Sequence, residues 1–387
     1  MNWIKSTLFI ALTISVANIN AGSAVSRFVD FYGHPSHVTF DQQFASFSLY
    51  SLSQKDIASR LSQYRNSNLN QSIHFVKKHM ENYALDDAST TIFVDKFASM
   101  ATGGTNSNEQ TFVKYLILKE LGYDVVLTRT GKKLNCLGNL SFTPGRYIYI
   151  RYANKVYKDL DFKNRRNYSK HLIYKDPKKT YTSIKRNILA VPRINANIKQ
   201  RSLSFNYGGT AHSLEALSNE SITEFLGDLP MYDVGNEFTR LKMSSEMEST
   251  VMRYLKTEVK DKSTIDAAKF LLSFVQQVVP YGSDYDKYGE ERFYYPEETI
   301  MSENADCEDK AMLLAYLAKN ILNINSVGLF FENDEHLSLA LEIPNYSPTG
   351  SFKYEGKHYV SCEPTAQYPK LGQSQFSLNR VTEVIRL

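Results

Sequence analysis

Two stretches of this chain repeat one another, so the fold must be one that can be built twice. The segment from Val38 to Leu61 aligns without gaps to the segment from Leu203 to Leu226. Phe40, Ser48, Leu49, Leu52, Ser53, Ile57 and Leu61 recur as Phe205, Ser213, Leu214, Leu217, Ser218, Ile222 and Leu226. Both copies read as an alternating strand followed by a Ser-capped helical turn. Amphipathic helices follow in each: QSIHFVKKHMENYAL and TTIFVDKFASMA in the first, ESTVMRYLKTEV and AAKFLLSFVQQVV in the second. Further on, the run from Asn106 to Leu127 parallels the run that opens at Ala305, and Asn154 to Asp161 lies over Gly356 to Glu363. Matches in the same order imply a duplicated unit. Helical periods precede strand periods in both copies, which predicts an α+β fold with helices packed on antiparallel sheets.

The stretch richest in chemistry runs from Asp306 to Thr365. Ala311, Leu314, Ala315, Leu317 and Ala318 recur at helical spacing, which predicts a helix with one buried face. Asp306 suits its N-cap, and Glu308 and Asp309 suit its first turn. Cys307 then stands at the amino end of a buried helix, where unpaired N–H groups and the helix dipole favour a thiolate. His336 and Glu363 fall on later strands, whose alternation can aim both side chains at one spot. Each residue alone is more often structural, since free cysteines are commonly buried. A thiol, an imidazole and a carboxylate in this order change the balance.

This segment resembles the core motif of the transglutaminase-like superfamily, the papain-like cysteine fold. That pattern is an acidic residue and Cys opening an apolar helix, a His before an apolar strand, and a strand ending in Asp-Pro-Thr. Here the parts are Asp306-Cys307-Glu308-Asp309, His336 and Glu363-Pro364-Thr365, with Glu363 where the family usually has Asp. The segment YPEET ahead of the Cys307 helix resembles what exported bacterial members carry. The resemblance implies two tandem transglutaminase-like (papain-like) units and a catalytic set of Cys307, His336 and Glu363.

The copies differ at this chemistry. Asn108 stands where Cys307 stands, the region from Leu134 to Leu137 that should match His336 has no histidine, and only the acid persists, as Asp161. An amide is no nucleophile. The expected division is therefore a leader over 1–24, a non-catalytic copy over 25–185, a linker and strand-rich start over 186–240, and the catalytic unit over 241–387.

The leader reads as a secretory signal peptide. Lys5 precedes the apolar run LFIALTISVA, and Ala21 and Ala24 are candidate cleavage positions. That run is too short for a membrane span, and Asn18 and Asn20 interrupt it. An exported protein, periplasmic or extracellular, is expected, with no membrane span. A net charge of +4 gives no case for nucleic acid. The basic stretch from Lys163 to Arg186 reads as a solvated linker or as a weak contact for an anionic surface. Three cysteines exclude a disulfide scaffold, and no Cys/His spacing suits zinc, so no metal or cofactor is expected. A Cys136–Cys362 pairing stays open, whereas Cys362, adjacent to Glu363 on a strand, should face away from the site. Tyr285, Tyr294 and Tyr295 lie on an aromatic segment leading to Cys307, as a substrate wall or as packing over the core.

The expected chemistry is acyl transfer through a thioester on a protein or peptide substrate, cell-envelope material included. Cys307 attacks, His336 moves the proton, and Glu363 fixes the imidazole. Like charge from Asp306, Glu308 and Asp309 opposes the thiolate, and the helix dipole with His336 is expected to outweigh it. Hydrolysis and transamidation both remain open. A binding or scaffold protein that keeps the fold without turnover is the alternative from another class.

Overall fold

The computed structural model describes residues 24–41, 47–65, 69–103, 107–142, 149–161, 171–175, 181–186, 192–194, 197–229, 239–283, 292–366 and 370–387. The leader up to residue 23 and much of the basic stretch from Lys163 lie outside them, as does Tyr285. Among the described residues no helix is long and apolar enough to cross a membrane.

The chain opens with a hairpin, β1 (Ala24–Asp30) and β2 (Pro35–Asp41). Four helices follow: α1 (Gln54–Arg65), α2 (Asn70–Asn82), α3 (Asp87–Thr102) and α4 (Asn108–Glu120). Their ends are set by local chemistry. Asp86 accepts the Ser89 N–H to start α3, and Ser107 accepts the Gln110 N–H to start α4. Gly103, at φ +70°, takes the left-handed conformation that stops α3. A five-stranded antiparallel sheet then forms from β3 (Val125–Thr130), β4 (Lys133–Gly138), β5 (Tyr149–Tyr152), β6 (Lys155–Asp159) and β7 (Leu172–Ile173), in the order β5-β6-β4-β3-β7.

The second half repeats this plan. Another hairpin, β8 (Ile198–Tyr207) and β9 (Thr210–Asn219), leads into α5 (Glu220–Asp228). A helical run from 245 ends in α6 (Arg253–Val259), and α7 (Thr264–Val278), α8 (Pro296–Met301) and α9 (Cys307–Leu317) follow. The second sheet contains β10 (Ser326–Phe331), β11 (His336–Leu341), β12 (Ser351–Tyr354), β13 (Lys357–Cys362) and β14 (Glu383–Arg386), ordered β12-β13-β11-β10-β14. Strand for strand this is the order of the first sheet. The molecule is thus mixed α+β, with two curled antiparallel sheets and their helices.

The repeat differs from the sequence alignment in detail. Ser53 does cap α1, accepting the Asp56 N–H at 3.1 Å. Its aligned partner Ser218 caps nothing, because its hydroxyl donates to the buried Glu297 at 2.6 Å. The strands also end at different points, at Asp41 in one copy and at Asn219 next to its helix in the other. The gapless match therefore tracks the helix better than the strand before it.

The halves share one apolar core. Phe31 of the first half stacks on Tyr83, meets Phe93 edge-on and reaches Phe225 of the second half at 6.1 Å. The Tyr32 hydroxyl donates to Asp228 at 2.6 Å. At the centre of the second half, α9 is buried along its whole length, from Cys307 to Leu317. The expectation of a single buried face is overturned here, because α7, α8 and the sheet surround α9 and enclose Glu308, Asp309 and Lys310 as well. Asp306 occupies the N-cap position, yet its side chain makes no capping hydrogen bond.

One buried acid makes the first sheet sensitive to pH. Burial pushes the Asp159 carboxyl up to about 6, against the hydrogen bond it accepts from the Asp161 N–H. The folded state thus holds a proton that the unfolded chain releases at its ordinary value of 3.8, and stability is lost as pH rises from there through about 6. Asp159→Asn is expected to stabilise the protein at pH 7–8 by up to ~3 kcal/mol and to add nothing below about pH 4, measured by denaturant midpoints across that range.

Candidate functional site

The site forms where α9 begins and β11 and β13 converge. β11 pairs with β13 so that Leu339 faces Cys362 and Ala340 faces Ser361. Alternation then sends Leu337, Leu339, Leu341, Val360 and Cys362 into the helix-covered core. His336 and Glu363 fall on the other parity, and they meet: His336 Nε2 lies 3.1 Å from Glu363 Oε2. Cys362 faces away from them, its thiol against the Val360 carbonyl at 3.4 Å. All three cysteines are free, so Cys136 and Cys362 do not pair.

Glu363 is fully buried and heavily held. Its Oε1 accepts the Thr365 hydroxyl at 2.6 Å, and its Oε2 also receives the Gln375 N–H at 3.4 Å. Burial opposes its ionisation, but the bonds and charge of His336, with Thr365 and Gln375, outweigh that and hold the carboxyl below its usual range. The Glu363 carbonyl accepts the Gln276 amide at 2.9 Å. Lys310 completes this support, donating to the Gln276 and Val279 carbonyls at 3.3 and 2.6 Å and so capping the end of α7. Its desolvation brings it down to about 8, with Glu363 acting in the opposite sense. Phe376 sits edge-on to the His336 ring, with centroids 5.3 Å apart.

Cys307 begins α9 as expected, but its thiol is not poised as a thiolate. It donates to Glu308 Oε2 at 3.0 Å and accepts the Leu337 N–H at 3.4 Å. Burial pushes the thiol far up, the charge and hydrogen bond of Glu308 push it further, and only the Leu337 N–H among its hydrogen bonds pulls it down. The expected advantage of dipole and imidazole over the acidic neighbours is thus reversed in this resting arrangement. The reason is local: Glu308 is enclosed beside the thiol instead of pointing to water. His336 bonds Glu363 through Nε2, and among the described residues Nδ1 has no hydrogen-bond partner.

The first half carries a counterpart at each position. Asn108 opens α4, and its Oδ1 accepts the Leu134 N–H at 2.8 Å, as the Cys307 thiol accepts that of Leu337. The residue equivalent to His336 is therefore Lys133, just ahead of the stretch from Leu134 to Leu137 where the match was expected. Lys133 Nζ lies 3.8 Å from Asp161, in the place of the His336–Glu363 pair. Amide, ammonium and carboxylate replace thiol, imidazole and carboxylate.

The aromatic segment is less involved. Tyr295 is packed in the core and its hydroxyl accepts a bond from Arg186. Tyr294 is buried, with its N–H on Asp309 at 2.7 Å, and it lines a separate cleft of about 760 Å³ shared with Tyr32, Asp228 and Arg292. That cleft touches none of Cys307, His336 and Glu363. As a substrate wall for Cys307, Tyr294 and Tyr295 are set aside.

The sequence reading missed Lys310, Gln276 and Lys133. A lysine inside an apolar helical run was a usable signal for the first; nothing in the local text marked the other two. Compared with family models, with characterised proteins and with solved structures, the chain matches none.

Proposed function

We propose that the protein is an exported, cysteine-dependent acyl-transfer enzyme acting on peptide or carboxamide bonds through a thioester, built from two tandem transglutaminase-like units. The observation that carries this reading is the His336–Glu363 pair, held by Thr365 and Gln375 beside a thiol at a helix start. In the first step the Cys307 side chain turns from Glu308 toward His336 Nδ1, which takes the thiol proton as sulfur attacks the carbonyl carbon. The oxyanion is met by the N–H groups at the start of α9. His336 returns the proton to the departing amine, and water or a second amine releases the acyl group. Glu363 keeps the imidazole in the working tautomer and stabilises its cation. The unit with Asn108 has no nucleophile, which leaves it a packing or binding role.

A second reading is favoured by one observation, the Cys307 thiol engaged with the enclosed Glu308 carboxyl at 3.0 Å. On that reading the fold binds without turnover. Iodoacetamide labelling between pH 7 and 9, followed by peptide mapping, separates the two. The enzyme reading expects Cys307 to be modified ahead of the more deeply buried Cys136 and Cys362, and Cys307→Ala to remove that label. Glu308→Gln takes away the neighbouring charge and is expected to speed the reaction about tenfold. Labelling of Cys307 no faster than of the other two, in both proteins, would favour the binding reading.

A further inference from the structure

A second cleft is lined by none of Cys307, His336 and Glu363 but by Thr365 and Gln276, which are hydrogen-bonded to Glu363, and it is bordered by an open strand edge. It has a volume of about 730 Å³ and is lined by Ser204, Asn206, Gln277, Pro280, Tyr281 and Thr365, among others. Two of its walls run into the site. Ala305, two residues ahead of Cys307, donates its N–H to the Pro280 carbonyl at 3.0 Å and accepts the Gly282 N–H at 3.1 Å. On the other side the Thr365 hydroxyl is bonded to Glu363.

The edge belongs to β8. Gly208 and Gly209, both at positive φ, make the two-residue turn to β9, so Tyr207 faces Thr210 and Phe205 faces His212. In such a hairpin those pairs exchange backbone bonds, while the N–H and C=O of Asn206 and Ser204 point outward. The groups of Asn206 are taken: Gln277 accepts its N–H and donates to its C=O, each at 2.9 Å. A side-chain amide thus pairs with the edge as a strand would. Ser204, the next outward position, is exposed, and among the described residues neither backbone group is bonded. Among the described residues the lining has no Lys, Arg, Asp or Glu, its one imidazole, His212, is engaged with the Tyr254 hydroxyl at 2.8 Å, and Tyr281 offers a largely exposed ring.

We infer that this cleft is the substrate subsite, and that it takes an extended, uncharged peptide segment which adds to the edge of β8 through the Ser204 backbone. The inference rests on the proposed acyl transfer for its final step, in which the segment delivers a carboxamide to Cys307. A peptide backbone is the ligand that matches an outward donor and acceptor on a strand, with side chains alternating between cleft and solvent. Against the described lining a charged segment would give up hydration and meet no Lys, Arg, Asp or Glu.

The probe is a fluorescent pool of N-acetylated hexapeptide amides made from Gly, Ala, Ser, Gln and Tyr, titrated against the Cys307→Ala protein by anisotropy. The pool is expected to bind, and the same pool N-methylated at alternate amides to bind about tenfold more weakly. Ser204→Pro removes the outward N–H without touching a hairpin bond and is expected to weaken the parent pool similarly. Equal binding of methylated and parent pools, or no binding of either, overturns the inference, and neither result depends on how Ser204→Pro folds. Iodoacetamide alkylation of Cys307 reads the thiol separately. Methylation-sensitive binding beside an inert Cys307 supports the subsite and overturns the acyl-transfer reading; a reactive Cys307 beside methylation-blind binding does the reverse.

Discussion

Glu363→Gln is expected to cut turnover by up to about 10⁴-fold while leaving the fold in place. The side chain keeps its length, so the oxygen that accepts from Thr365 can remain. The atom facing His336 Nε2 then becomes an amide nitrogen, a donor aimed at a donor. The ring can answer only by moving its proton to Nδ1, the nitrogen that in the proposed reaction takes a proton from Cys307. Charge is lost as well, and with it the support for an imidazolium. Glu363→Asp is expected to give partial activity, because its shorter arm must serve both Thr365 and His336 from a strand settled around Glu. Turnover on any peptide or carboxamide that the wild type processes provides the measurement. If the Gln variant matches wild type, Glu363 is not the third member of the set.

Leu314→Ala is expected to cost about 2–5 kcal/mol, enough to remove much of the stability of an ordinary domain. Leu314 is fully buried on α9, which is enclosed on every side, so the surrounding helices and sheet cannot close the cavity without moving one another. Cys307→Ala on the same helix should behave differently. It deletes the sulfur at the helix start with its two weak hydrogen bonds, to Glu308 and from Leu337, and the melting temperature should fall by only a few degrees. Thermal unfolding of both variants checks the contrast. A Cys307→Ala protein that fails to fold would make the thiol a structural element and undercut the enzyme reading.

Much of this arrangement could be read from the text of the chain because it depends on local periods. The start of α9 at Cys307, the strand phase that separates Cys362 from Glu363, and the kinship of Asn108 with Cys307 all follow from residue spacing and alternation. What escaped depends on enclosure. The state of the thiol turns on where the Glu308 carboxylate points, and that is decided by how α9 is surrounded. Lys310 and Gln276 act through carbonyls of a helix far away in sequence, which no spacing rule can anticipate. Tyr295 read equally well as wall or core, and its burial beside α8 decided for core. Lys133 carries an ammonium in place of a ring and sits one residue ahead of the stretch that the repeat aligns with His336, so only the shared Leu134 and Leu337 tethers reveal the match.

The tether between helix start and strand has a consequence for motion. In one half an amide oxygen grips a backbone N–H tightly and its nitrogen holds the Lys132 carbonyl as well, at 3.0 Å. A side chain fastened at both ends does not swing. In the other half a single sulfur, a weak acceptor and weak donor, holds the equivalent N–H at longer range, and its second bond goes to the Glu308 side chain instead of the backbone. Releasing it costs little, and the helix stays anchored by the burial of its whole length. One fastening ties side chain to backbone twice and the other only once, so in the proposed reaction the half that carries the thiol is the one whose fastening would also serve as a moving part.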